Sequence, residues 1–278
     1  MSNELKSKLL NSLEMDNWII DDLTQSLKTE LQNQLKFYYN SPLSINVSNY
    51  FLKTDFTDEE FKDLTFPLVP NELNNRNGVF DFFLSNLKYQ GNDLSLQIAY
   101  LEEENHFKLF QSIKKIETYY PKFQSMINDL NLFICFFRGA HFLSTSNPKI
   151  LGTIFLNEQI FEKPEELDLT IVHELAHQEL FLLNMVDLLI DKEMINNLSH
   201  ARFQGYKRPP IGRFHSLHSI YRMTKYSELC DHPLFATLIK EFAAAIEDLN
   251  INELSLLGKK MYKRIYMKYL EDLQKRMP

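Results

Sequence analysis

Within this 278-residue chain, the residues whose types and spacing best suit chemistry are His173-Glu174-Leu175-Ala176-His177. Histidines four apart on a helix stand one turn above the other on a single face. Two imidazoles placed that way can aim converging nitrogens at one divalent metal. The run around them, residues 167–190, is apolar almost all round, which is the pattern of a helix buried at the centre of a protein. Such a helix has no cheap way to hide two imidazoles and a carboxylate without partners. A hydrogen-bonded His–Glu–His network without metal would meet the same need.

A metal centre needs a third protein ligand, and six other histidines are available: His106, His141, His200, His215, His218 and His232. On a helix read from about residue 214, His215, His218, Ser219 and Arg222 share one face. His215 and His218 are therefore both candidates. Glu228 is a carboxylate rival further along the same helix, and His200 in the preceding loop stays open. Arg208, Arg213 and Arg222 surround the pair. A guanidinium beside a metal centre suits a bidentate grip on a carboxylate, so these three are candidates for gripping one.

The elements that must position these groups read as mainly helical. Apolar residues from Trp18 to Leu35 recur at mostly four-residue spacing and predict a long helix ending at Tyr38-Tyr39. Residues 40–78 are mixed, and further helices are expected at about 79–89 and 92–118. Short aromatic-rich runs at 131–137 and 150–156 predict buried strands, with loop chemistry from Ser144 to Pro148 between them. The HELAH helix starts near Pro164-Glu165-Glu166, where proline and acids suit a first turn. Residues 192–213 are irregular, and helices follow at about 214–229, 233–248 and 253–275. The expected class is α+β, mainly α with a small β-sheet, and a sheet leading into the HELAH helix resembles the zincin arrangement. Residues 1–125 form a helical N-terminal part to which peptide recognition is assigned by position. Residues 126–278 carry the metal site, and the two read as one continuous globular unit.

Composition removes several classes. Hydrophobic residues are 44% and charged residues 24%, an ordinary globular balance. Net charge is −7, which gives no electrostatic case for nucleic acid. With only 7 Gly there is no phosphate-cradling glycine loop. Two cysteines, Cys135 and Cys230, cannot build a disulfide framework and read as reduced thiols. No signal-peptide core and no membrane-length apolar run is present, so the expected location is cytoplasmic.

HELAH followed by Arg208-Pro-Pro-Ile-Gly-Arg-Phe-His215 resembles the HExxH-motif family of peptide-modifying proteins encoded beside small ribosomally made peptides. The family's Arg-Pro pair, Gly and helix-opening His map onto Arg208, Pro209, Gly212 and His215. Its Gly after that His is Ser216 here. The resemblance covers roughly residues 130 to 225 and implies an iron(II)- and 2-oxoglutarate-dependent hydroxylase. Its substrate would be the β-carbon of a side chain in a precursor peptide. On that pattern His173, His177 and His215 would hold iron, with O2 and 2-oxoglutarate as cosubstrates. The 2-oxoglutarate carboxylate would meet Arg208 first, Arg222 second. His218 would contact the substrate or orient a ligand, and Glu174 would orient the peptide. The rival expectation is a zinc peptidase with Glu174 as general base. A catalytically inactive peptide-binding module is a third.

Overall fold

The strand runs that precede HELAH build a small mixed sheet. The computed structural model describes residues 3–15, 17–20, 23, 97–99, 101–120, 123, 133–139, 142–148, 153–202 and 205–276. Among these, β1 (Gln97–Ile98), β2 (Phe133–Arg138), β3 (Ser144–Ser146) and β4 (Thr153–Asn157) form one sheet in the order β1-β2-β4-β3. The architecture of the described residues is α+β, mostly helix with this sheet and a two-stranded one. They divide into two compact units: Thr24–Glu174, and Met1–Leu23 together with Leu175–Pro278.

In the Thr24–Glu174 unit, β2 and β4 run parallel, with Phe133 opposite Thr153 and Phe137 opposite Asn157. Their centres, Ile134–Phe137 and Ile154–Leu156, are buried on both faces, as continuous apolar runs require. β3 lies antiparallel on β4, with Ser144 opposite Leu156 and Ser146 opposite Ile154. The expected loop there is therefore a strand. Its polar Ser-Thr-Ser composition hides it from any apolar pattern. Asn157 ends β4 by accepting the Gln159 N–H at 3.1 Å and donating to the Phe142 carbonyl at 3.1 Å.

Helix α2 spans Glu103–Tyr119, not the 92–118 expected. Leu94, Leu96 and Ile98 alternate with polar residues, the period of a strand, and β1 sits there antiparallel to β2. Acids Glu103 and Glu104 open α2, where the helix dipole favours them. Helix α3, Pro164–Val186, carries HELAH. Lys115 of α2 pairs with the buried Asp168 of α3 at 2.6 Å, which fixes the approach to the motif. Most of the Trp18–Tyr39 prediction and the whole of 79–89 lie outside the described residues, as does His141. The 1–125 part to which peptide recognition is assigned is described only in pieces.

In the other unit, α1 (Asn3–Glu14) buries Leu9, Leu10 and Leu13, and Arg264 grips Glu14 with Nη2 at 2.7 Å. Residues 192–213, read as irregular, contain a hairpin of β5 (Ser199–Ala201) and β6 (Tyr206–Arg208), turning at Gly205 with φ 74°. Helix α4 is Pro210–Leu229, four residues longer at its start than expected because Pro210 occupies the first helical position. Helix α5 is Phe235–Glu247. The final helix is interrupted: α6 (Leu256–Met261), a π-helical segment Tyr262–Met267, and α7 (Lys268–Arg276). Leu257, Met261, Ile265, Tyr269 and Leu273 are all buried. A strict four-residue period drifts around a 3.6-residue helix, and the wider π turn brings it back to one side. At Gly258 any Cβ would collide with the Leu189 carbonyl oxygen, so only glycine allows α6 to approach that close.

Candidate metal centre

Helix α3 presents His173, Glu174 and His177 with their ligand atoms within 4.8 Å of one another. Both histidines are half-buried, while Glu174 is fully enclosed. Ser146 of β3 donates to Glu174 Oε2 at 2.5 Å. Glu174 Oε1 has no hydrogen-bond partner among the described residues. His173 Nε2 stands 3.9 Å from it. Burial pushes the Glu174 carboxyl up to about 7, against the hydroxyls of Ser144 and Ser146, which hold it down.

On α4, in the unit that includes Leu175–Pro278, the structure separates the candidate third ligands. His215 Nδ1 faces His177 Nδ1 at 3.0 Å. That is a hydrogen-bond distance between the two rings, so His215 adjoins the group through His177; it is not among the three residues whose donor atoms lie within 4.8 Å of one another. Phe181, one turn beyond His177, lies 4.9 Å from the His215 ring between centroids and walls this side with apolar surface. His215 falls in the second turn of α4, not at its start.

His218 is turned the other way. Its Nε2 meets Glu179 Oε2 at 2.7 Å and its Nδ1 meets the Tyr266 hydroxyl at 2.8 Å, all fully buried. Burial, only partly offset by Glu179, lowers its pKa and favours the neutral ring. Arg222 crosses the same Glu179, Nε to Oε2 at 2.9 Å and Nη2 to Oε1 at 2.8 Å. Arg222 Nη2 also donates to the Asn17 carbonyl at 2.9 Å, and its guanidinium lies 4.4 Å from the Trp18 ring centroid. Ile19 N–H donates to Glu179 Oε1 at 2.9 Å. Burial alone would raise the Glu179 carboxyl, but the charge of Arg222 and the bond from His218 outweigh it and hold it at about 2. Neither His218 nor Arg222 is presented to a ligand by this geometry; both belong to a buried polar network.

Arg213 is likewise committed. Its Nη2 pairs with the buried Glu253 at 2.8 Å and its Nη1 donates to the Asp248 carbonyl at 2.8 Å. Asn197 donates to the other Glu253 oxygen at 2.5 Å, so Arg213 ties the excursion before the β5–β6 hairpin to the region after α5. Glu228 accepts from Tyr269 at 2.9 Å and is paired with Arg276. His200 is exposed on β5. His106 lies half-buried in α2, and His232 is buried and accepts the Leu234 N–H at 3.2 Å.

Arg208 differs from its two neighbours. It ends β6 half-buried, and its Nη1 donates to Ser216 Oγ at 2.8 Å. Among the described residues it has no carboxylate partner. The sequence reading did not single out Glu179, Tyr266 or Ser146. An acid inside an otherwise apolar stretch of α3 was a signal for Glu179; nothing local marks the other two. In comparisons with known proteins, no family model and no curated protein matches the chain.

Proposed function

We propose that this chain is an iron(II)- and 2-oxoglutarate-dependent hydroxylase acting on an unactivated β-carbon C–H of a side chain in a ribosomally made precursor peptide. His173, His177 and His215 would hold the metal. When bound, iron with O2 and 2-oxoglutarate supplies oxidative decarboxylation to succinate and CO2, coupled to insertion of one oxygen atom into the substrate. The edge strand β3, whose Ser146 reaches Glu174 of the motif helix, supports a zincin-like arrangement of sheet and helix. Cys135 and Cys230, neither of them in a disulfide, are in keeping with a cytoplasmic enzyme.

The observation that carries the reading is Arg208. Arg213 and Arg222 neutralise buried carboxylates of this chain, whereas Arg208, beside the His215 turn, has no carboxylate partner among the described residues. A half-buried guanidinium in that state suits the distal carboxylate of a dicarboxylic cosubstrate. Glu174, with a carboxyl near neutrality and Oε1 unengaged, can accept or donate a hydrogen bond at that atom and so orient a peptide. Phe181 excludes water from the side of His177 and His215.

One observation favours a second reading. A carboxyl titrating near 7 beside two histidines is also what a zinc peptidase needs in a general base. The run from Arg208 to His215, which the resemblance ties to a hydroxylase, is what ranks this reading second. The test is incubation of the metal-loaded protein with the neighbouring precursor peptide, iron(II), 2-oxoglutarate and air. The expected result is succinate and a peptide heavier by one oxygen atom. Peptide cleavage by a zinc form without cosubstrate would establish the second reading instead.

A further inference from the structure

We infer that Ser216 and Gly212 preset the Arg208 guanidinium to take a carboxylate; this rests on the proposal that Arg208 anchors the cosubstrate. Ser216 has one hydroxyl proton, which it gives to the Gly212 carbonyl at 3.1 Å. Its lone pairs are then the groups that face Arg208, and Nη1 donates to them at 2.8 Å. Nη1 is thereby fixed from within α4, next to His215. The opposite edge, Nε with Nη2, lies over Gly212. A Cβ on Gly212 would stand 3.1 Å from Nε and 3.5 Å from Nη2. Glycine therefore lets the guanidinium lie this close to α4, and a Cβ would push it away by a few tenths of an ångström. Tyr206 completes the holder, with its ring centroid 5.8 Å from the guanidinium carbon.

Ser216 and Gly212 are thus positioning residues acting through Arg208, one by a hydrogen bond and the other by letting the guanidinium lie against α4. Holding a long side chain ready reduces the ordering entropy lost when the cosubstrate binds. A Gly or Ala at 216 leaves Nη1 without this hydrogen bond, and a larger residue at 212 displaces the guanidinium.

The test is calorimetric titration of 2-oxoglutarate into iron(II)-loaded protein under argon, with metal content measured in parallel. Wild type, S216A, S216T and G212A are compared, and KM and kcat for 2-oxoglutarate are measured afterwards in air. S216A should bind about 5- to 10-fold more weakly, the worth of one ordinary hydrogen bond lost from the holder. S216T, which keeps the hydroxyl, should restore most of that loss. G212A should bind about tenfold more weakly, because the Cβ displaces the guanidinium from the position that Ser216 holds. Metal content should be unchanged throughout, and in S216A the loss should fall on KM rather than kcat. If wild type binds 2-oxoglutarate and both S216A and G212A bind it equally well, the preset grip is wrong while the hydroxylase reading stands. If wild type binds none, both fall together.

Discussion

Arg222 lays its guanidinium across both carboxylate oxygens of Glu179, at 2.9 and 2.8 Å, with neither side chain reached by solvent. The pair joins α3 two residues past His177 to α4 seven residues past His215. It therefore sets how the turns that carry those histidines meet. A buried pair of this kind is costly to break from one side, because the remaining charge keeps its burial and loses its partner.

Arg222→Met should accordingly cost about 3–5 kcal/mol of unfolding free energy. The double variant Glu179→Gln with Arg222→Met should recover part of that loss, since no lone charge then remains buried. Urea denaturation of the three proteins checks this. Equal destabilisation by the single and double variants would mean that packing, not charge, dominates the contact.

Glu174 gives the metal-free protein a pH signature. Its carboxyl titrates at about 7 when folded against an ordinary 4.5. Between those values the folded chain holds more protons than the unfolded one, so this residue's contribution to stability falls as pH rises and is constant above about 7. At ~1.4 kcal/mol per unit the full cost is on the order of 3 kcal/mol. Glu174→Gln should remove it. Denaturation of metal-free wild type and variant from about pH 4.5 to pH 8 should show curves that meet at the acid end, with the variant more stable at the alkaline end. Parallel curves would show that Glu174 titrates normally.

Arg208→Ala should raise the KM for 2-oxoglutarate by about 30-fold or more, the loss of a charge-assisted bidentate contact. Arg208→Lys should rescue only part, because a point charge does not replace a fork. Arg213→Ala should instead lower stability, because it abandons Glu253 in the interior. Steady-state kinetics on the folded variants separates these outcomes. A normal KM in Arg208→Ala would remove the cosubstrate anchor from this residue.

The periodic parts of this chain were legible from sequence for physical reasons. The centres of β2 and β4 are apolar because both faces are covered, and the middle of α3 is apolar almost all round because it is enclosed. The helix start at Pro164 is local chemistry; the start at Pro210 lies four residues before the one expected, although the same proline preference marks it. β3 was not legible, because three small polar residues owe their strand state to pairing with β4, not to their own pattern. The hairpin at 199–208 escaped notice for the same reason. The arginines show the sharper limit. Arg208, Arg213 and Arg222 look equivalent as sequence, and only the long-range placement of Glu253 and Glu179 assigns two of them to the core. His215 and His218 share a helix face in sequence terms, yet a difference of three residues sends one to His177 and the other to Glu179 and Tyr266.

That division of the two histidines is the central claim, and metal content tests it most directly. Iron(II) per chain, measured anaerobically on purified single variants, should fall to background in His173→Ala, His177→Ala and His215→Ala. It should remain at the wild-type level in His218→Ala wherever that variant is folded. Retention of full metal in His215→Ala, or its loss in folded His218→Ala, would contradict the assignment of the metal centre to His173, His177 and His215.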